Sequence, residues 1–260
     1  MTVRQSVMAR VHLQDNEWIK ILTFLRTRQD IYVGNESACR RFLDGVVWAM
    51  RSGSQWRLVP RAYGKWNSIY KRFARWCDKG VWTAMLEQFA DDPDLSNLVI
   101  DSTIVRAHPC AAGAPAARGG QANQSLGRSR GGFTTKIHLS VDAQGRPLRI
   151  RLTAGQRHDI TQAPGLTDGF DYEHLIADRS YDANKLLDRI YAQQAVPVIP
   201  PRANRRVQRD YDRDLYRERH VIECFINKIK QYRRIFSRFD KLDTRYLGFL
   251  CFVATLIWLR

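Results

Sequence analysis

Apolar residues recur at helical spacing through the first third of the chain. Over residues 15–28, Trp18, Ile21, Leu22 and Leu25 share one face, with Asp15 or Asn16 available as a cap. Residues 35–51 open on Asn35-Glu36 and bury Phe42, Leu43, Val46, Val47 and Met50. Gly53, Pro60 and Gly64 then break the period. It resumes with Trp66, Ile69, Tyr70, Phe73 and Trp76 on one side of a third helix, interleaved with Lys65, Lys71, Arg72 and Arg75. Such a helix suits a phosphate backbone, and equally an ordinary solvated face. The aromatics of residues 48–82 fall at helical spacing and read mostly as core. Asp91-Asp92-Pro93-Asp94 cannot easily continue a helix, which puts a domain boundary near 91–96.

Beyond it the period shortens. Residues 98–105 are apolar and β-branched on both alternations, the pattern of a central strand covered on both faces. Residues 133–141 and 148–152 give two further strands, and the turn at 142–147 makes them antiparallel neighbours. A strand at 175–177 runs out at Asp178, a helix follows over 184–194, and a strand at 196–199 stops at Pro200-Pro201. A long helix is expected over 215–236 with Ile222, Phe225, Ile229, Tyr232 and Phe236 as its apolar face. Residues 246–259 form a buried final helix, and the Ala-, Gly-, Ser- and Arg-rich stretch 108–130 a mobile loop. The expected architecture is a small all-α domain (1–94) followed by an α/β domain (95–260) with a mixed sheet flanked by helices.

Charge narrows the partner. The 260 residues carry a formal net charge of +16, the footprint of a nucleic-acid binder. The excess is uneven: it is greatest in residues 202–260. Five cysteines, odd in number, widely separated and without C-x-x-C pairing, argue against a disulfide framework or a structural zinc site and fit a reducing cytoplasm. Residues 1–10 are too polar for a signal-peptide core. No apolar run is long enough to span a bilayer, so no membrane partner is expected.

The candidate chemistry is acidic. Tyr216, Arg219, Glu223 and Lys230 fall within an arc of roughly 60° on a helix, flanking one carboxylate with a phenol, a guanidinium and an ammonium. Asp101 sits inside a strand that reads as buried, where an unpaired carboxylate costs several kcal/mol. Asp178 lies where an apolar strand ends, the place where open α/β sheets present ligand sites. Each acid alone could simply pair with an arginine, and Glu223 with Arg219 in particular. Three convergent oxygen donors favour Mg²⁺ or Mn²⁺ over zinc and suit two-ion phosphodiester chemistry. His108, His138, His158 and His220 lack ligand spacing and are expected in structural or phosphate-contact roles. Gly131-Gly132 reads as a turn or tether in an Arg-rich loop.

With these residues in hand the chain resembles the DDE transposases of bacterial insertion sequences, in particular insertion-sequence family five. Tyr216, Arg219, Glu223 and Lys230 match its Y-(2)-R-(3)-E-(6)-K pattern. Residues 42–45, 64–66 and 72–73 are similar to its helical N-terminal region, and residues 99–103 to its first catalytic strand. Residues 132–138 and 155–159 are similar to the segments that follow. Residues 177–182 match A-D-K-G-Y-D except that Arg179-Ser180 replaces Lys-Gly, a less flexible loop, and Ile199-Pro200-Pro201-Arg202 precedes the signature. The resemblance implies an RNase H-like fold and Asp101, Asp178 and Glu223 as catalytic ligands of two Mg²⁺ ions, with Mn²⁺ able to substitute. It implies cleavage at terminal inverted repeats and transfer of the 3′-hydroxyl to target DNA. Tyr216, Arg219 and Lys230 would grip phosphates, and the helical domain, with Lys65, Lys71, Arg72 and Arg75, would read double-stranded DNA. A homodimer at synapsis and a bacterial cytoplasmic, nucleoid-associated location follow. Two other classes share these features: a silent transposase-derived DNA-binding protein, and a nuclease of the same fold without strand transfer.

Overall fold

A computed structural model describes residues 12–129 and 132–260. Expectations for residues 1–10, Arg130 and Gly131 lie outside the described residues. Among the described residues no helix is long and apolar enough to cross a membrane.

Three of the front helices form as expected, α1 (Asp15–Thr27), α2 (Glu36–Ser52) and α3 (Trp66–Asp78), but α3 buries only Ile69, Phe73 and Trp76 of its expected face: Trp66, in its first turn, is 43% exposed and Tyr70 is half-buried. The cap of α1 differs. Gln14 and Glu17 form a reciprocal capping box, the Gln14 amide donating to Glu17 Oε2 at 2.9 Å, while Asp15 and Asn16 already belong to the first turn. Asn35 caps α2 by accepting from the Ala38 amide at 3.1 Å. The helix ends at Gly53 with φ +68°, where an added Cβ would meet Arg233 Cβ at 2.8 Å. A fourth helix, α4 (Val81–Phe89), buries Val81, Trp82, Met85 and Leu86. The sequence pattern does not mark it, because Gly80, in a left-handed turn two residues beyond α3, breaks the apolar period just before it begins.

The sheet is built on β1 (Asn97–Ala107). Its neighbours are β3 (Gly132–Val141), antiparallel, and β5 (His174–Ile176), parallel. β4 (Pro147–Ala154) and the short β2 (Gly127–Ser129) pair antiparallel with β3, and β6 (Val196–Val198) pairs parallel with β5. Read as β4-β3-β1-β5-β6, this is the mixed sheet of an RNase H-like fold. Parallel strands need crossovers, here α5 (Ala163–Thr167), between β4 and β5, and α6 (Asn184–Ala192) between β5 and β6. After β6 come α7 (Arg213–Tyr216), α8 (His220–Lys230), α9 (Arg233–Phe236), β7 (Ser237–Arg238) and α10 (Asp243–Trp258). Residues 108–129 carry three 3₁₀ turns and β2.

Two expectations are corrected. The helix expected over 215–236 is three pieces, because a 3₁₀ turn at Arg217–Arg219 and a break at Gln231-Tyr232 divide it. Ile222, Phe225, Ile229 and Tyr232 are buried as expected, but the second break turns Phe236 out to 63% exposure. Strand β1 is covered on both faces only at Leu98, Val99 and Ile100; by Ile104, 49% exposed, it has run out from under its helices.

One apolar cluster fills one side of the sheet. It joins Leu25, Val46, Phe73 and Trp82 of the front helices to Val99, Leu139, Phe225, Phe249 and Phe252. The final helix α10 lies at its centre, buried almost all round as its hydrophobic run predicts. Phe73 stacks on Phe249 with centroids 4.4 Å apart, and Trp82 meets Phe252 at 4.8 Å. The backbones come this close because residue 248 is glycine, where a Cβ would lie 2.7 Å from Cys77 Sγ. The opposite face of the sheet has its own core of Leu98, Ile100, Leu166, Leu175, Tyr181 and Ile190.

Candidate active site

The register of the sheet decides where the first two acids stand. β1 and β5 are paired as Leu98 with Leu175 and Val99 with Ile176, so two residues further along each strand come Asp101 and Asp178. Parallel neighbours lie about 4.8 Å apart, which brings Asp101 and Asp178 to one region at the carboxyl end of β5, close enough for the charge of Asp178 to raise Asp101. Asp178 caps a 3₁₀ turn, Arg179–Tyr181, accepting from the Ser180 amide at 2.8 Å and from the Ser180 hydroxyl. The serine that replaces glycine in the resembling segment therefore fixes the orientation of this carboxylate.

Asp101 is half-buried. Its Oδ1 accepts from the Ser102 amide at 2.7 Å and its Oδ2 from Arg219 Nη1 at 2.6 Å. Burial pushes the Asp101 carboxyl above its ordinary range, and the charges of Asp178 and Asp159 push the same way; the Ser102 amide and Arg219 pull it back. The other Arg219 amino group donates to Glu223 one turn on. A single guanidinium thus ties the strand acid to the helix acid, which is exposed on α8. Tyr216, just before the 3₁₀ turn, feels Asp178, and burial raises its phenol. Lys230 lies seven residues beyond Glu223, at the far end of α8.

A fourth carboxylate completes the setting. Asp159 Oδ1 accepts from Ser102 Oγ at 2.7 Å and pairs with Lys136 Nζ at 2.8 Å. His138 Nδ1 lies 3.8 Å away on the same oxygen. His138 is fully buried, its Nε2 is 2.8 Å from Thr153 Oγ1, and burial lowers it to about 4, so it is neutral. Tyr181 is buried against the group: burial first, then the charges of Asp159, Asp101 and Asp178, hold its hydroxyl protonated, and that hydroxyl has no partner among the described residues. Asp159, Lys136 and Tyr181 were given no role by sequence reasoning. The available signal was an acid placed just after β4, the strand next but one to Asp101.

Carboxylates near enough for the charges of Asp178 and Asp159 to raise the Asp101 pKa are, by donor type, those that suit a hard cation. Among the described residues no three His, Cys, Asp or Glu side chains stand ready as a metal cluster. The reason is visible in the geometry: Arg219 stands between Asp101 and Glu223 and supplies the positive charge itself.

The expected DNA-contact residues divide. Lys65 and Lys71 are exposed, and neither they nor Arg75 has an ion-pair partner among the described residues. Arg72 is turned into the protein. It donates to the Val33 carbonyl at 3.0 Å and lies over the rings of Phe42 (4.6 Å) and Trp76 (5.0 Å), so it braces α3 on α2. Of the remaining histidines, His108 stacks on Phe239, and His220 Nδ1 lies 3.0 Å from the Arg217 carbonyl oxygen.

Two family models match the chain. Residues 13–86 match a family model described as "Putative transposase of IS4/5 family", and residues 92–256 match "Transposase DDE domain". A curated relative from Brucella ovis, "Putative transposase for insertion sequence element IS6501", is 44% identical over 133 residues, 49% of this chain and all of the relative. The protein y4sN of Sinorhizobium fredii, uncharacterized, is 41% identical over 109 residues, 42% of this chain and 87% of its own length. Among solved structures, a piggyBac transposase synaptic complex with hairpin DNA aligns with a TM-score of 0.39 at 12% identity, covering 73% of this chain and 48% of that one, so the chain spans about half its length. The Mos1 strand transfer complex aligns at a TM-score of 0.27 and 10% identity over 93% and 90%.

Proposed function

The chain belongs to the DDE-domain transposases of insertion sequences, metal-dependent polynucleotidyl transferases, and from that premise we propose that Asp101, Asp178 and Glu223 are its catalytic acids. The observation that carries this is the placement of Asp101 and Asp178 on neighbouring parallel strands, with Arg219 bonded to both Asp101 and Glu223. The three acids would hold Mg²⁺, which when bound would activate an oxygen nucleophile and stabilise the leaving oxygen. Arg219 keeps the acids together beforehand and then turns to the DNA phosphate, its fork suited to two phosphate oxygens. Tyr216 and Lys230 flank it on the same strand of substrate. Asp159 holds Ser102 and Lys136 and so steadies the strand that carries Asp101.

At an element end, water attacks the scissile phosphorus, the bond to O3′ breaks, and the 3′-hydroxyl is freed. That hydroxyl then attacks a phosphodiester of target DNA, releasing a second 3′-oxygen. Residues 1–94 form the end-reading domain, with Lys65, Lys71 and Arg75 on phosphates, while residues 95–260 carry the chemistry. Two copies act together at synapsis, in the bacterial cytoplasm. The test is strand-specific cleavage of a labelled element end by the purified chain with Mg²⁺. Asp101→Asn, Asp178→Asn and Glu223→Gln should each lower cleavage by roughly 100- to 1,000-fold. Wild-type rates in any of the three would remove that residue from the site.

A further inference from the structure

The α3 surface already placed on phosphates, with Lys71 and Arg75, also borders a cleft with the makings of a further nucleic-acid site, away from the acids. Between the front helices and the segments that follow β1 and β7 is a cavity of about 480 Å³ lined by Trp56, Trp66, Tyr70, His108 and Phe239, with Arg57 and Arg234 at its sides. Beside it, sharing Tyr70, a groove of about 570 Å³ is lined by Lys71, Arg75, Arg118, Lys241 and Arg245. One helix, α3, supplies Trp66 and Tyr70 to the first and Tyr70, Lys71 and Arg75 to the second, so the two adjoin.

The chemistry of the pair is specific. Trp66 is 43% exposed and has no ring contact among the described residues, so an indole face is left open to solvent. An indole face open to solvent is available for a base to stack on. The Trp56 indole N–H and the Nε of Arg234, which is nearly fully buried, have no acceptor among the described residues. In the adjoining groove Asp78 is taken up by Arg118 and Arg245. Lys71, Arg75 and Lys241 have no carboxylate partner among the described residues, and they remain free for an anion. An open aromatic wall with an unmet donor, running into a cationic groove, is complementary to a base joined to its phosphates.

Resting on the reading of the chain as a DNA transposase, we infer that this cleft holds an unpaired stretch of DNA, one base against Trp66 in the aromatic cavity and the neighbouring phosphates along Lys71, Arg75 and Lys241. A paired base presents no face to such a wall; an unstacked one does. His108 begins the segment just after β1, seven residues beyond Asp101, which at about 3.3 Å per residue puts the cleft roughly 20 Å from the acids. A single DNA molecule spans both.

The test uses the full chain and fluorescence anisotropy with two probes, a fluorescein-labelled 12-residue oligothymidylate and a blunt mixed-sequence duplex of the same length. Wild type should bind the oligothymidylate, and Trp66→Ala should weaken it about fivefold or more while changing duplex affinity less than about twofold. Trp66→Phe, which keeps a stacking face, should restore binding. His108→Ala gives the same contrast independently should Trp66→Ala fold poorly. Lys71→Ala with Lys241→Ala should flatten the salt dependence of oligothymidylate binding by about 0.7 per lysine. Equal loss on both probes, no loss on either, or a wild type that binds duplex but not oligothymidylate overturns the inference and leaves the transposase reading intact. A chain that binds oligothymidylate as described yet neither binds nor cuts element ends sinks the transposase reading instead.

Discussion

Arg219→Ala tests how the acids are held together. The guanidinium touches Asp101 at 2.6 Å, where the side chains are 23% and 15% exposed, and it also bonds Glu223, which is 52% exposed. Two unit charges about 4 Å apart at an effective dielectric near 20 attract by about 4 kcal/mol. Desolvation of Arg219 offsets part of this, and the exposed Glu223 contact adds no more than a surface pair, about 0.5 kcal/mol. Removing Arg219 also leaves Asp101 facing Asp178 and Asp159 without its cation. The expected cost is about 2–4 kcal/mol at neutral pH, a fall in melting temperature of roughly 5–12 °C for a chain of this size. The assay is thermal unfolding followed by circular dichroism in EDTA. Because Arg219 lowers the Asp101 pKa, the penalty should shrink as the pH falls and Asp101 takes up a proton. Divalent cation should recover part of it, since the same oxygens then gain a different positive charge. A variant that melts within 1 °C of wild type (roughly 0.3 kcal/mol), or a penalty unchanged by both acid and Mg²⁺, would refute the reasoning.

Three further outcomes follow from the same geometry. Mg²⁺ at about a hundred times its dissociation constant should stabilise the chain by about 2.7 kcal/mol, a shift that Asp101→Asn should abolish in calorimetry. His138 is neutral in the fold with its pKa lowered to about 4, whereas an unfolded histidine titrates near 6.5. Below pH 6.5 only the unfolded chain takes the proton, so stability present above that pH should be lost towards pH 4, by about 3 kcal/mol. His138→Gln should flatten that slope in denaturant titrations run across the window. Gly248→Ala would force a methyl against Cys77 and Trp82; overpacking of this kind should cost about 1–3 kcal/mol in urea unfolding.

Much of the fold was legible because burial writes itself into periodicity. The final helix is read off as an apolar run, and its charge-free length explains why it sits at the centre of the core. Asp178 is placed by the end of its strand, and the register then carries Asp101 to its side. The helix after Tyr216 was less legible: the 3₁₀ turn at Arg217–Arg219 has no proline or glycine to mark it. Asp159 was hidden for another reason. It lies in a short polar stretch whose pattern resembles any loop, and only the pairing of β1 with β3 and β3 with β4 brings it to Ser102 and Lys136. Arg72 misled in the opposite sense, since an arginine among lysines on a basic helix gives no hint that its guanidinium covers Phe42 and Trp76.

The apolar seam between α10 and helices α3 and α4 constrains any redesign of this protein. Exchanging residues 1–94 for those of a relative, as a test of the proposed end-reading role, would strand Phe249 and Phe252 against foreign side chains. A workable chimera must carry the matching side of the last helix with the borrowed front, so the natural cut points for recombining specificity lie at both ends of the chain rather than at a single joint near residue 94.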